Sequence, residues 1–360
     1  MNVSDTTLRR VAWAVWWLHP VVCVVATSLM LADPPSNSGS WGAGGRVGEV
    51  AFSLVVLSFP LVGFLILRQQ PRNTIGWLLQ AIGFAWAVGL MADSYATYGL
   101  VTQPGLLPGA DVAAVLSESN WVAAIGLIGT FLTLLYPNGH LPSPRWRPVA
   151  WLSGLTMAVV TVAIVLAAGP MEESPVPNLA NPLAWETAQP VLVVVITVFL
   201  PLLPLCMLVC ATGLVIRFRR SQGLERLQLK WLAAAGAVVT FVYLVTMASV
   251  GLTELTDLAG ALVPWVTMLQ TLSILVLALL PAAIGIAVLR HGLYEIDVVI
   301  NRALVYSVLS AILAAVYSVC VLLSQSALEP VTRKSELAVA VSTLAVAAVF
   351  RPARERIQGI

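Results

Sequence analysis

The sequence predicts an all-α membrane protein, a transmembrane helical bundle of about ten spans with both chain ends in the cytoplasm. Three observations predict it: 59% of the 360 residues are hydrophobic and only 10% are charged, the apolar residues form long runs, and basic residues collect between alternate runs. Ordinary soluble domains contain about 25% charged residues. Mean hydropathy is +0.91, more apolar surface than a soluble core could bury, so the bilayer is the expected solvent.

The apolar runs set the number of spans. A spanning helix needs about 20 mostly apolar residues, because its backbone amides must be hydrogen-bonded inside the hydrocarbon. The run after the N-terminus exceeds a signal-peptide core of about 7–15 residues, so it is interpreted as the first span. The ten predicted spans are 11–32, 48–67, 75–97, 120–136, 149–169, 190–216, 228–250, 263–289, 303–324 and 336–350. Pro201 and Pro204 predict a kink in the sixth.

The basic residues test this count independently, since Lys and Arg are retained on the cytoplasmic side during insertion. With these spans, 16 of the 19 basic residues fall on one side. The 16 are Arg9, Arg10, Arg68, Arg72, Arg145, Arg147, Arg217, Arg219, Arg220, Arg226, Lys230, Arg290, Arg302, Arg351, Arg354 and Arg356. The alternation supports the span count and the plasma-membrane, N-in and C-in topology. Residues 1–350 then form one multi-span domain, and 351–360 form a short basic cytoplasmic stub.

Two ionisable residues within the spans are candidate sensing residues. His19 precedes Pro20 in the first span, where an intramembrane ionisable group indicates function by default. Its isolation from carboxylates and cysteines favours packing instead. Asp93 is predicted near the outer headgroups, about 30 Å from the inner edge. There a structural bond to Ser94, Tyr95 or a helix end is favoured over a role in an outward-facing stimulus pocket.

Catalytic and cofactor motifs are missing from the sequence. It contains no metalloprotease HExxH, no phosphate-binding Walker loop and no serine nucleophile motif with a partner histidine. Cys206 and Cys210 share a helix face and could suit a soft metal, but without a His or a second Cys pair, packing is the favoured interpretation. The sequence therefore predicts no enzyme, cofactor or metal site.

The predicted cytoplasmic loops contain the remaining candidate residues. Their expected roles are topology, attraction to anionic lipid headgroups and coupling to a partner. Asp297 is also placed to cap the ninth span. The anchoring and coupling candidates are Arg145, Arg147, Arg219, Arg220, Asp297, Arg302, Arg351 and Arg354.

These loops also carry a family resemblance. The distinctive stretches, in order, are PRNTIGWLLQAIGFAWAVGLMADSYATYGL, LYPNGHLPSPRWRPVAWL, RFRRSQGLERLQLKWLAAA, LLPAAIGIAVLRHGLYEIDVVINRALVYSVLSAILAAVY and LAVAVSTLAVAAVFRPARERIQ. From about residue 60 onward they resemble the membrane sensor region of actinobacterial integral-membrane histidine kinases. In full-length kinases the last stretch leads to a phosphoacceptor-histidine domain and an ATP-binding domain. This sequence stops at Ile360, so no catalytic residue of the family is carried over.

The resemblance implies a non-catalytic sensor or regulatory protein that signals to a cytoplasmic partner, such as a kinase or response regulator. It also implies a homodimer. The basic loops predict contact with membrane lipids, and no nucleic-acid partner is expected. Two alternatives stay open. One is a small-molecule or lipid transporter, which would need a polar cavity reaching the midplane; the other is a truncated histidine kinase.

Overall fold

The computed structural model describes residues 4–32, 45–171, 174–176, 178–255 and 259–291, and their regular secondary structure is helical. Two π-helical segments occur: Tyr98–Thr102 continues α3, and Leu127–Leu132 joins α4 to α5. The α-helices are α1 (Asp5–Ala32), α2 (Gly45–Gln69), α3 (Thr74–Thr97), α4 (Ala110–Gly126), α5 (Thr133–Leu135), α6 (Arg147–Leu166), α7 (Gln189–Arg220), α8 (Gly223–Leu255), α9 (Ala259–Val276) and α10 (Leu279–His291).

Eight stretches of the described chain are long and apolar enough to cross a membrane. They are Asp5–Ala32, Val50–Gln69, Thr74–Thr102, Ala110–Leu135, Pro144–Leu166, Glu186–Arg220, Gly223–Thr246 and Met268–Leu289. Each overlaps one of the first eight predicted spans, so the described residues confirm an all-α fold with eight candidate membrane spans. The ninth and tenth predicted spans, 303–324 and 336–350, lie outside the described residues.

The fourth span begins ten residues earlier than predicted. Hydropathy placed its start at residue 120, whereas α4 begins at Ala110. The difference arises from the polar run Ser117–Asn120, which lowers the local hydropathy although the helix continues through it. Asn120 Nδ2 donates to the Ala85 carbonyl of α3 at 2.6 Å, which compensates the burial of its amide.

The described chain also has a helix break in the eighth span, which the sequence did not predict. Helix α7 runs through Pro201 and Pro204 as one element, whereas α9 and α10 are separated by a turn at residues 277–278. Pro281 has no N–H to donate to the Leu277 carbonyl, and Leu280 N donates to that carbonyl instead, at 3.1 Å. The backbone therefore stays hydrogen-bonded through the break, as an apolar environment requires.

The largest apolar core surrounds α3, which packs against α1, α2 and α4. Phe59, Leu79 and Ile82 are fully buried there. Small residues bring α2 and α3 together: a Cβ added at Gly63 would lie 2.7 Å from the Gly76 carbonyl oxygen. Helices surrounded by lipid gain little hydrophobic driving force from meeting each other. Close backbone contact at glycine stabilises their packing instead.

Replacing Gly63 with alanine tests this contact. Alanine raises helix propensity by about 1 kcal/mol, but overpacking at this contact costs about 1–3 kcal/mol. We expect Gly63→Ala to lower the thermal unfolding midpoint in detergent. Gly236→Ala is the matched control, because a Cβ there meets nothing within 4 Å and the midpoint should stay or rise. Equal midpoints for the two variants would contradict the close contact.

Candidate functional site at the basic face

Several loops rich in arginine meet at one end of the bundle, which we call the basic face. The Arg72 side chain of the α2–α3 loop pairs with Asp5 at the start of α1, with Nε and Oδ1 2.8 Å apart. Gly139 of the loop after α5 has φ +75° and packs against Thr74, where a Cβ would lie 2.8 Å from the threonine Cβ. Within the described residues, the structure thus brings together the start of α1, the α2–α3 loop and the loop after α5, which the charge pattern assigned to one side.

Arg217, in the last turn of α7, is the central charged group of this face. Its guanidinium donates one hydrogen bond to the Tyr136 carbonyl and another, 2.6 Å long, to the His140 carbonyl. Glu225 of α8 lies 3.9 Å away, and only 9% of the Arg217 side chain is exposed. The Tyr136 carbonyl follows the last turn of α5, where carbonyls have no partner within the helix. The planar fork of an arginine can bond it together with the loop carbonyl of His140. Arg217 therefore fixes the 136–140 loop to the end of α7.

A second chain of hydrogen bonds extends this junction to α8 and α10. The Tyr136 hydroxyl donates to the Gln228 carbonyl at 3.2 Å, although the residue is fully buried. Gln228 Nε2 in turn donates to the Ala287 carbonyl at 3.0 Å. We call Arg217, Tyr136, Gln228 and these carbonyls the Arg217 junction. It connects α5, α7, α8 and α10, the last described helix.

The arginines singled out from the sequence surround this junction. Arg145, Arg147, Arg219 and Arg220 are all exposed, and Trp146 packs over α7, with ring carbons 3.1 Å from where a Cβ of Gly213 would lie. Exposure at a helix end suits contact with anionic headgroups. Asp297, Arg302, Arg351 and Arg354 lie outside the described residues. Arg217 was not singled out, because nothing local distinguishes it from Arg219.

A polar contact inside the bundle involves His19. The residue is 1% exposed; its Nδ1 lies 2.7 Å from the Val15 carbonyl oxygen and its Nε2 lies 3.3 Å from that of Gln80. Gln80 Nε2 donates to the Pro60 carbonyl at 3.2 Å. The His19–Gln80 contact thus connects α1, α2 and α3. In the sequence, Gln80 is recognisable only as a lone amide side chain in the second turn of an apolar span.

The structure does not bring Asp93 to His19. Asp93 lies 13 residues beyond Gln80 on α3, about 20 Å along the helix. It is partly buried and takes part in a polar interaction. The two candidate sensing residues therefore belong to different depths of the bundle.

Metal and family comparisons complete the description of the site. Among the described residues, no group of three or more His, Cys, Asp and Glu side chains could hold a metal ion. No protein-family model, curated protein or solved structure matches the chain. Any function must therefore be argued from the residues and their contacts.

Removing the Arg217 guanidinium should destabilise the basic face. Arg217→Ala leaves two carbonyls without their charged donor, at a cost of about 2–3 kcal/mol. Arg217→Lys should recover only part of this, since an ammonium cannot reproduce the two-pronged geometry. Arg219→Ala, an exposed neighbour, should stay within about 0.5 kcal/mol of wild type. Thermal unfolding in detergent measures all three, and an Arg217→Ala midpoint equal to that of Arg219→Ala would disprove the junction.

Truncating His19 tests the intramembrane contact. His19→Ala removes a buried ring and its contact with α3, so we expect a loss of about 2 kcal/mol or more in the free energy of unfolding. Thr197→Ala is the control, because this exposed hydroxyl bonds only to Val193 of its own helix. Denaturant unfolding in mixed micelles provides the measurement. Similar losses for both variants would show that His19 contributes nothing specific.

Proposed function

We propose that the protein is a non-catalytic sensor or regulatory protein of the plasma membrane, with its basic face in the cytoplasm. In this proposal the helix bundle responds to the state of the membrane or its surroundings and signals to a cytoplasmic partner. Three kinds of support agree: the multi-pass helical bundle, the grouping of arginine-rich loops, and the resemblance to the input region of membrane histidine kinases.

The observation that carries the proposal is the Arg217 junction. Its hydrogen bonds connect the ends of α5, α7, α8 and α10, so movement of one helix end must displace the others or break a bond. Signalling requires two arrangements whose populations a stimulus can shift. A network of a few hydrogen bonds, each worth about 1 kcal/mol or somewhat more, is a suitable element for such a shift.

The alternative of a transporter has less support in the described helices. A carrier for polar substrates needs ionisable or polar groups along a path through the midplane. His19 and Gln80 are the largest buried polar side chains among the described residues of α1–α3, and each contacts a backbone carbonyl of a neighbouring helix. This arrangement favours helix packing and sensing over a transport path.

A pull-down of the intact chain in mild detergent tests the proposal. After cross-linking in the native host, we expect mass spectrometry to find a histidine kinase, a response regulator or a second copy of this chain. Arg217→Ala should reduce this recovery several-fold at equal expression, because the junction shapes the proposed docking face.

Gly236→Ala provides the matched control and should behave as wild type. Recovery of none of the three partner classes would overturn the proposed function. If wild type and Arg217→Ala recover the same amount of partner, partner binding does not depend on the Arg217 junction.

A further inference from the structure

The buried face of α1 contains a single polar side chain, that of His19. The buried residues of this helix are Ala12, His19, Cys23 and Ala26, and their spacing places them on one side of it. Three of them are small, so the histidine ring is the largest group that α1 buries. We propose that His19 is a pH-sensitive contact: protonation of the ring at low pH moves residues 20–32 of α1 away from α3. The proton would be a stimulus for the proposed sensor, and the inference rests on the proposed function in this respect only.

The neutral ring of His19 fits its surroundings. Its Nδ1 lies 2.7 Å from the Val15 carbonyl oxygen, which assigns to Nδ1 the single N–H of a neutral imidazole. Nε2 then carries a lone pair and lies 3.3 Å from the Gln80 carbonyl oxygen, without a hydrogen between them. The ring also packs edge-on against Phe84 of α3, with ring centroids 6.3 Å apart. Contact between α1 and α3 at this level is therefore the packing of an uncharged ring.

A charged ring would have no opposite charge close to it among the described residues. Helix α1 packs against α2, α3 and the π-helical end of α3. Apart from the Cys23 thiol one turn along α1, the ionisable side chains of these elements lie more than two turns from the residues that touch the ring. They are Asp5, Arg9 and Arg10 of α1, Arg68 in the described part of α2, and Asp93, Tyr95 and Tyr98 of α3 and its continuation. A proton on His19 would therefore add a net charge to an apolar contact.

The cost of that charge decides the direction of the response. The carbonyls of Val15, Trp16 and Gln80 lie against the ring and offset part of the cost, and a proton on Nε2 would add one hydrogen bond to Gln80. Removing an ion from water without an opposite charge nearby costs more than one hydrogen bond returns. Ionised groups in a membrane therefore move to water or to a partner. We expect the charged ring to leave its contact with α3.

Two features of α1 confine the movement to the half that follows His19. Before it, the rings of Trp13 and Trp16 pack on Phe64 of α2, with centroids 4.7 and 5.6 Å apart. These aromatic contacts do not depend on pH, so the first half of α1 stays on α2. Directly after His19, Pro20 has no N–H to donate within the helix, and a helix bends most easily at such a residue. Residues 20–32 can therefore turn about Pro20.

The distance between two spin labels tests this movement in the purified intact chain. The four natural cysteines are replaced by alanine, and the labels are attached through Ser28→Cys on α1 and Leu116→Cys on α4, both at exposed positions. We expect one distance at about pH 8 and a second, longer distance at about pH 5. The ratio of the two populations should change by up to about tenfold per pH unit below pH 6.5, roughly the ordinary pKa of histidine.

Histidine variants of the labelled chain assign the response. His19→Gln stays uncharged and should keep the first distance at both pH values. His140→Gln with His291→Gln leaves His19 as the only histidine and should respond fully, which also decides the question if His19→Gln does not fold. The proposal is overturned if the labelled chain shows one distance at both pH values, if His19→Gln still responds, or if the double variant does not. No partner is present, so these results and those of the pull-down can fail independently.

Discussion

The close backbone contact between α2 and α3 is the constraint on which the rest of the bundle depends. Because Gly63 and Gly76 lack side chains, the two helices approach to a distance that a single Cβ would prevent. Helix α3 then presents Gln80 to α1 and α2, and the Ala85 carbonyl to α4. In lipid, where apolar surfaces gain little from meeting each other, such contacts fix the relative positions of helices.

The helices themselves could be predicted because each spanning helix pairs its own backbone N–H and C=O groups by hydrogen bonds. That requirement produces long apolar runs whatever the neighbours are, which explains why eight predicted spans recur in the described chain. The start of α4 and the break before α10 depend on other information. Asn120 is tolerated through a carbonyl on another helix, and the turn at residues 277–278 through a replacement hydrogen bond to Leu277. Hydropathy detects neither.

The site was less accessible to sequence reasoning for a related reason. Arg217, Arg219 and Arg220 share one helical turn and one residue type, and only the carbonyls of a distant loop distinguish the first from the others. The cysteine pair of α7 was visible as a spacing. The contact of Cys210 with Ser153 of α6 depends on the register between two helices, which no local pattern encodes.

The two polar regions of the bundle are connected through α3, and this connection makes the proposed signalling physically coherent. Gln80, the partner of His19, lies six residues from Thr74, about 9 Å along one rigid helix. Asn73 caps that helix by accepting hydrogen bonds from the Ile75 and Gly76 amides, and Thr74 contacts the loop held by the Arg217 junction. A shift of α1 at His19 would therefore reach the junction through α3 as a rigid-body displacement. Such a route needs no continuous chain of hydrogen bonds. It needs only two packings of α3 that are close in free energy.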